Sequence, residues 1–263
     1  MLKRVFFPEI DNYITKRDKE LANKIDKNGG NLYIVGGYVR DILLDKPPND
    51  KDYLITKMSS DKFEEIFDNY ELVGESFNVY IMDGDEFVFP RYGETIKKDL
   101  RARDITINSI AIDILKKEIV YLDNALKDLE KGVIKDNRYK GIISSLAIDA
   151  LRIYRIARQA AQLGFTVSYT TGNHMHYYKN NLDTVAPERV YEEFKKALAS
   201  DNPERFFYVL EESDCLDNYF YEFSKLWYKT QPITHHPEIY VHEHFIQSLK
   251  LLKEYKDDLY FRF

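Results

Sequence analysis

The sequence predicts an α+β protein, a mixed α/β head at the N-terminus followed by an all-helical remainder. Three observations predict it. In the first part of the chain, short apolar runs of strand length alternate with helical stretches and are separated by Gly, Pro and Asp. From Ser144 onward the apolar spacing becomes helical, with Ile153, Ile156, Ala157, Ala160 and Ala161 on one stripe. The charge balance changes at the same place: residues 1–136 carry net −5, residues 137–205 net +3 and residues 206–263 net −4. We therefore expect a head over 1–136, a helical neck over 137–205 and a helical body over 206–263.

Each element has its own local signal. Residues 31–36 are a buried-strand run that ends in Gly36-Gly37, and residues 38–44 read as a helix stopped by Pro47-Pro48. Residues 52–56 form a second strand, and Ser59 or Ser60 caps a helix over 61–69. Residues 76–82 and 86–89 read as a strand pair joined by Asp83-Gly84-Asp85. The polar stretch 92–100 reads as a mobile loop. Arg101 and Arg103 stand beside an apparent helix start, and residues 148–164 read as one long helix.

Composition excludes several classes. With 44% hydrophobic and 14% aromatic residues the chain is expected to fold. The net charge of −6 excludes a globally basic nucleic-acid coat, yet leaves the +3 middle third as the expected surface for a polyanion. Cys215 is the single cysteine, so no intramolecular disulfide is possible, which favours a reducing compartment. The longest uncharged stretch, 159–178, is too polar to span a bilayer, and the start lacks the apolar core of a signal peptide. A cytoplasmic protein without a membrane partner is expected; oligomeric state is not legible.

Candidate chemistry begins at Gly36-Gly37. Two glycines at a strand-to-helix junction let backbone approach a phosphate, and Arg40 adds a charge-assisted contact, although a lone Gly-Gly is also explained by a tight turn. Asp50 and Asp52 at a strand start share one face, which suits Mg²⁺. Glu86, on a neighbouring strand, either completes that metal site or is an ordinary edge residue. Arg103, Asp104 and Asn108 suggest ribose or phosphate contacts, with capping an alternative for Asp104. Asp149, Arg152, Arg155 and Arg158 lie away from the apolar stripe of their helix, as a solvated face or as a reading surface. His235, His236, Glu238, His242 and His244 crowd ten residues at a spacing able to hold a transition metal.

Taken in order, these segments resemble the class II nucleotidyltransferases, the bacterial-type CCA-adding enzymes and bacterial poly(A) polymerases. IVGGYVRDILL resembles the family's triphosphate motif, NDKDYLIT its catalytic D-x-D and RARDITINSIAID its R-R-D-F-T-I-N-A motif. DALRIYRIARQAAQLGF is similar to the nucleotide-selecting helix, and PERVYEEFKKAL to the helix that follows. Ile148 stands where the family often has Glu, and Ala102 replaces the first Arg of R-R-D. HHPEIYVHEHF is similar to the start of an HD-type domain, but without the His-Asp doublet, so no phosphohydrolase is expected.

The resemblance implies a polymerase-beta-like head. It implies catalysis by Asp50 and Asp52 with Mg²⁺, and triphosphate binding by Gly36, Gly37, Arg40, Arg103, Asp104 and Asn108. Base selection falls to Asp149 and Arg152, extended along the helix to Arg155 and Arg158. Lys195 and Lys196, in the basic middle third, are expected to meet RNA. The expected partners are ATP, CTP and a tRNA 3′ end. LVGESFNVYIM resembles the CCA-adding pattern G-x-S-F-x-V, which ranks CCA addition above poly(A) synthesis; addition of C or A alone is an open alternative. A catalytically silent RNA- or nucleotide-binding module is the contrasting class. Paired carboxylates argue against it, because burying them is costly without a metal.

Overall fold

The structure, a computed structural model, describes residues 1–48, 50–74, 78–90, 95–122, 124–139 and 143–251. The chain forms two compact units: Met1–Leu129 with Asn137–Gly141, and Glu130–Asp136 with Ile142–Phe263. Among the described residues no helix is long and apolar enough to cross a membrane.

The first unit is built on a mixed sheet. Its strands are β1 (Leu2–Phe6), β2 (Asn31–Val35), β3 (Asp52–Thr56), β4 (Glu71–Val73), β5 (Val79–Met82), β6 (Asp85–Val88), β7 (Ile110–Asp113) and β8 (Glu118–Leu122). Their spatial order is β1-β8-β7-β2-β3-β6-β5-β4. β2 lies in the middle, between β7 and β3, and pairs antiparallel with both. A strand covered on both faces reads as a continuous apolar run, which is why NLYIV carries no alternation. β3 pairs parallel with β6, and that register sets Asp52 opposite Glu86.

Helices α1 (Lys16–Lys27), α2 (Gly37–Leu43), α3 (Ser60–Ile66) and α4 (Ile96–Ala102) belong to this unit, and the chain leaves it through α5 (Ala125–Glu130). α1 starts with a reciprocal cap: the Thr15 hydroxyl accepts from the Asp18 backbone N–H, and the Asp18 carboxylate accepts from that of Thr15. The Ser59 cap is present on Lys62 N–H, but α3 ends at Ile66, three residues short of expectation, because Phe67 turns extended and buries with Phe63.

The polar stretch expected as a mobile loop is corrected where it is described. Residues 96–102 form α4, whose Ile96 and Leu100, four apart, pack with Tyr33, Val35, Leu54, Ala111 and Val120. Lys97, Lys98 and Asp99 between them hide that spacing. Residues 91–94 lie outside the described residues, as do Ser76 and Phe77 of the expected strand over 76–82. The two arginines also stand at the end of α4, not at a helix start.

The second unit is helical: α6 (Arg152–Leu163), α7 (Tyr169–Tyr178), α8 (Pro187–Leu198), α9 (Glu204–Glu212), α10 (Asp217–Ser224) and α11 (Val241–Leu251). Short strands Val133–Ile134 and Thr166–Val167 pair in parallel beside them. α6 packs against both α8 and α9. It starts four residues later than expected and stops at Gly164, whose φ of 71° provides the left-handed cap that a glycine adopts without a Cβ penalty. The core is aromatic. Tyr154, Phe194, Phe206, Phe207 and Phe220 interlock, and Phe245 of α11 joins them at 5.0 Å from both Phe207 and Phe223. Position 205 falls inside α9.

Candidate active site

The turn between β2 and α2 is the centre of the site. Gly36 has φ 77° and ψ −138°, a backbone state closed to residues with a Cβ. A Cβ there would also lie 3.0 Å from Arg103 Nη1 and 3.5 Å from Asp52 Oδ2. A cation from the segment after α4 and a carboxylate from β3 therefore approach the same bare stretch of backbone. Gly37 is the first residue of α2, and its own Cβ position faces the Arg40 guanidinium.

Arg40 is buried and engaged. It donates to both Asp41 carboxylate oxygens, at 2.8 and 3.0 Å, and to Asn108 Oδ1 at 2.9 Å. Asn108 donates onward to Asp104 Oδ1 at 3.2 Å, and the same oxygen accepts from the Ile105 N–H. Arg40, Asn108 and Asp104 thus form one buried hydrogen-bonded chain between α2 and the 104–108 segment. Capping does not explain Asp104, since no side chain caps the short 3-10 turn Thr106–Asn108. Arg103 donates from Nε to Asp99 at 3.0 Å.

Asn137 completes this scaffold and has no motif to announce it. Its buried amide donates to the carbonyls of Arg103 and Ile105 and to Ser109 Oγ. A polar residue between apolar Ile134 and the basic Arg138 gives no period from which to read it.

The acidic strand is set from behind. Lys51 Nζ reaches Asp18 Oδ2 at 2.6 Å, and the Tyr53 hydroxyl donates to Asp18 Oδ1. Lys51 and Tyr53 therefore face α1, and alternation sends Asp52 to the other face. Next to Asp18, Arg17 pairs with Asp85 and donates to the Met82 carbonyl at 3.1 Å, gripping the turn into β6. Burial pushes the Asp18 carboxyl up, but the Lys51 and Tyr53 hydrogen bonds outweigh it and hold the group below the usual carboxylate range. Burial, then Asp18, pushes the Tyr53 phenol up. The Thr15-x-x-Asp18 cap was the available signal for this anchor.

One expected detail is corrected. β3 begins at Asp52, so Asp50 precedes the strand and is exposed, whereas Asp52 is half-buried. Glu86 is exposed on β6, opposite Asp52 in register.

In the second unit, Asp149 lies before α6, not on it. Its Oδ1 accepts from the Leu151 N–H at 3.0 Å, and Oδ2 accepts from Arg189 Nη2 of α8 at 3.1 Å. Arg152 is buried and donates to the Ser145 carbonyl at 3.3 Å. Arg158 pairs with Glu193 of α8, with Arg155 Nε 3.9 Å from the same carboxylate. The polar face of α6 is thus no plain solvated face, because α8 covers part of it with opposite charges. Arg189 and Glu193 escaped the sequence reading, since one helix says nothing about which helix packs on it. Lys195 pairs with Glu192 at 2.9 Å, and Lys196 is exposed.

Comparison with known proteins bears on the family and the fold. Residues 32–88 and 83–135 match the family model described as the poly A polymerase head domain. Residues 164–226 match that of a probable RNA and SrmB-binding site of polymerase A. The chain is 33% identical over 229 residues to the CCA-adding enzyme of Blochmanniella floridana, covering 79% of this chain and 54% of the relative. It is 32% identical over 228 residues to the multifunctional CCA protein of Laribacter hongkongensis, covering 79% and 54%. It spans about half the length of these curated relatives. The fold matches that of a CCA-adding enzyme in complex with ATP, with a TM-score of 0.70, 24% identity and coverage of 97% of this chain and 61% of that one. It also matches the Thermotoga maritima CCA-adding enzyme complexed with tRNA, with a TM-score of 0.69, 22% identity and coverage of 97% and 62%. With the glycine turn, the acidic strand and the 101–108 segment in one head, and both matched models in chain order, the chain belongs to the class II nucleotidyltransferase family.

Proposed function

We propose that the chain acts as a template-independent RNA 3′-nucleotidyltransferase that adds C and A to the tRNA 3′ end from CTP and ATP. The observation that carries this reading is the convergence at Gly36, where Arg103 and Asp52 flank backbone that has no side chain of its own. A triphosphate needs donors, and the cation that accompanies it needs carboxylates; both types meet at this turn.

A divalent metal fits the donor set. Asp50, Asp52 and Glu86 offer hard carboxylate oxygens without nitrogen or sulfur, which suits Mg²⁺. When bound, the metal would neutralise triphosphate charge and favour in-line displacement at the α-phosphorus. The remaining work falls to the chain. Gly36 and Gly37 admit the phosphates, Arg103 binds them, and Arg40, Asp104 and Asn108 hold the turn in place. Asp149 accepts and Arg152 donates, matching the amino donor and ring-nitrogen acceptor that cytosine and adenine share. Uracil and guanine reverse that pattern and leave polar groups unsatisfied. Arg155 and Arg158 support the selecting helix, and Lys195 and Lys196 meet RNA phosphates. We divide the work among a catalytic head over 1–136, a selecting neck over 137–205 and a helical body over 206–263.

Poly(A) synthesis is the second reading, favoured by the family model of the head. Incubation with labelled CTP or ATP and tRNA lacking its CCA end separates the two. Ordered addition of C, C and A is the expected result. A long A tract on unrelated RNA establishes the second reading, and absence of any extension overturns both.

A further inference from the structure

We propose that Asp136 is a positioning residue for the choice of base: through Ser144 it fixes the short turn whose carbonyl holds Arg152, and His174 holds Asp136 in its turn. This role rests on the reading of Asp149 and Arg152 as base-selecting groups. All of these residues belong to the second unit. Buried Arg152 donates from Nη1 to the Ser145 carbonyl at 3.3 Å. The same carbonyl accepts from the Ile148 N–H at 3.2 Å, and Ser145 is the first residue of the 3-10 turn Ser145–Ala147. Asp149 follows directly after Ile148. One carbonyl thus sets both the guanidinium of Arg152 and the path of the chain into Asp149.

The turn is held at its start by Ser144. The Ser144 hydroxyl oxygen accepts from the Leu146 N–H at 3.2 Å, and the hydroxyl donates its own proton to Asp136 Oδ2 at 2.6 Å. Two residues of α7 fix that carboxylate from the other side. Thr171 Oγ1 donates to Asp136 Oδ1 at 2.9 Å and accepts from the Asp136 N–H at 3.1 Å. His174 Nδ1 stands 3.0 Å from both carboxylate oxygens. The Asp136 side chain is 3% exposed and that of His174 21%. An ionised carboxylate only accepts, and two hydroxyls and an imidazole nitrogen meet its two oxygens here.

A serine cap needs only the oxygen lone pair, and water can take the hydroxyl proton. Here a buried carboxylate takes it, at a cost in desolvation that a plain cap avoids. The result is a hydroxyl that cannot rotate, at the start of the turn that aims Arg152. Placement matters for reading a base, since a misplacement of about 1 Å can cost roughly a hundredfold. Without Asp136 the Ser144 hydroxyl turns freely, the 3-10 turn loosens and Arg152 loses its fixed carbonyl. Asp50, Asp52 and Glu86 belong to the other unit and keep their places. Base choice therefore suffers more than the chemical step.

The test uses the full chain with tRNA lacking its CCA end, Mg²⁺ and the four triphosphates in competition. Ser144→Ala is the first variant, because Thr171 and His174 still hold Asp136 in it. The preference for CTP over UTP and for ATP over GTP should fall at least about fivefold. Turnover on CTP and its Mg²⁺ dependence should change less, with helical circular dichroism retained. His174→Leu should lower the same ratios. Ser144→Thr, which keeps the hydroxyl, and His174→Asn, which puts an amide N–H near the place of Nδ1, should restore them. Ser144→Ala combined with His174→Leu should be no worse than Ser144→Ala alone, since both act along one line of contacts. Where a variant does not extend RNA, equilibrium titration with CTP and with UTP reads the same ratio. Parental ratios in folded Ser144→Ala and His174→Leu overturn the proposal and leave the role of Asp149 and Arg152 standing. A lowered melting temperature with unaltered ratios marks a structural cap only and overturns it too. A parent without preference among the triphosphates, in extension and in titration, overturns the base-selecting role and this one with it.

Discussion

Asp18 in the head and Asp149 in the helical unit hold their charges in opposite ways. In the head, Asp18, Arg40, Asp104 and Asn108 are buried and hydrogen-bonded, with Lys51–Asp18 and Arg40–Asn108 joining separate segments. In the helical unit, Asp149 and Arg189 pair at 3.1 Å with their side chains 32% and 54% exposed. A buried pair is worth little against an apolar replacement, but removing one partner strands a charge and costs about 3–5 kcal/mol. An exposed pair contributes about 0–1 kcal/mol. The head is therefore built so that its groups do not move. Asp149 can exchange Arg189 for a base at small cost, whereas Arg152 near it is buried.

The most severe way to break the contrast is Asp18→Ala. It leaves Lys51, whose side chain is only 14% exposed, without its carboxylate, and we expect a loss of about 3–5 kcal/mol in chemical denaturation. The sign with pH follows from the lowered Asp18 value. Its contribution is fully present above the ordinary carboxylate range and is lost as pH falls through the lower, folded-state value. The gap between wild type and Asp18→Asn should thus narrow in acid. A gap that widens in acid would reverse the assignment.

Asp52→Ala tests function in the same region. Turnover should fall at least roughly a hundredfold, about 2.7 kcal/mol, with stability little changed. Turnover near that of wild type would remove Asp52 from the chemistry.

The selecting region should respond the other way, with activity altered and stability kept. Asp149→Ala is expected to raise relative use of UTP and GTP by about tenfold or more, read from competition among the four triphosphates. Arg189→Ala, which frees Asp149 from its partner, should shift the same ratio less. Unaltered preference in both variants would dissolve the comparison.

The smallest effect is expected at the surface of α8. Reversing Lys195 and Lys196 to Glu should weaken RNA binding and flatten the salt slope by about 0.7 for each lost single-strand contact. Identical slopes would place the RNA path elsewhere.

How much of this was legible depends on where the information lies. Val35-Gly36-Gly37 announces its turn because a strand run, a positive φ and a helix start are all local. β3 was legible for the same reason. α4 was not: its buried Ile96 and Leu100 are separated by three charged residues, and only the sheet beneath supplies a reason to bury them. β1 pairs with β8 across more than a hundred residues, with a pattern too exposed to alternate. On α6, the spacing of Arg152, Arg155 and Arg158 was readable, but their partners Ser145 and Glu193 were not.

The sequence by itself determined the order of the segments, the glycine turn, the residue types of the acidic strand and the change from mixed to helical architecture. These rest on short-range sterics and on apolar periods of two and 3.6 residues. Tertiary structure alone decided that Asp52 stands opposite Glu86, that Lys51 is held by Asp18, and that Asp149 meets Arg189. It also brought three of the five crowded residues, His236, Glu238 and His244, into one cluster. Each of these is a meeting of residues far apart in the chain or turned by a loop. Sheet register and helix packing set such distances, and no local period encodes them.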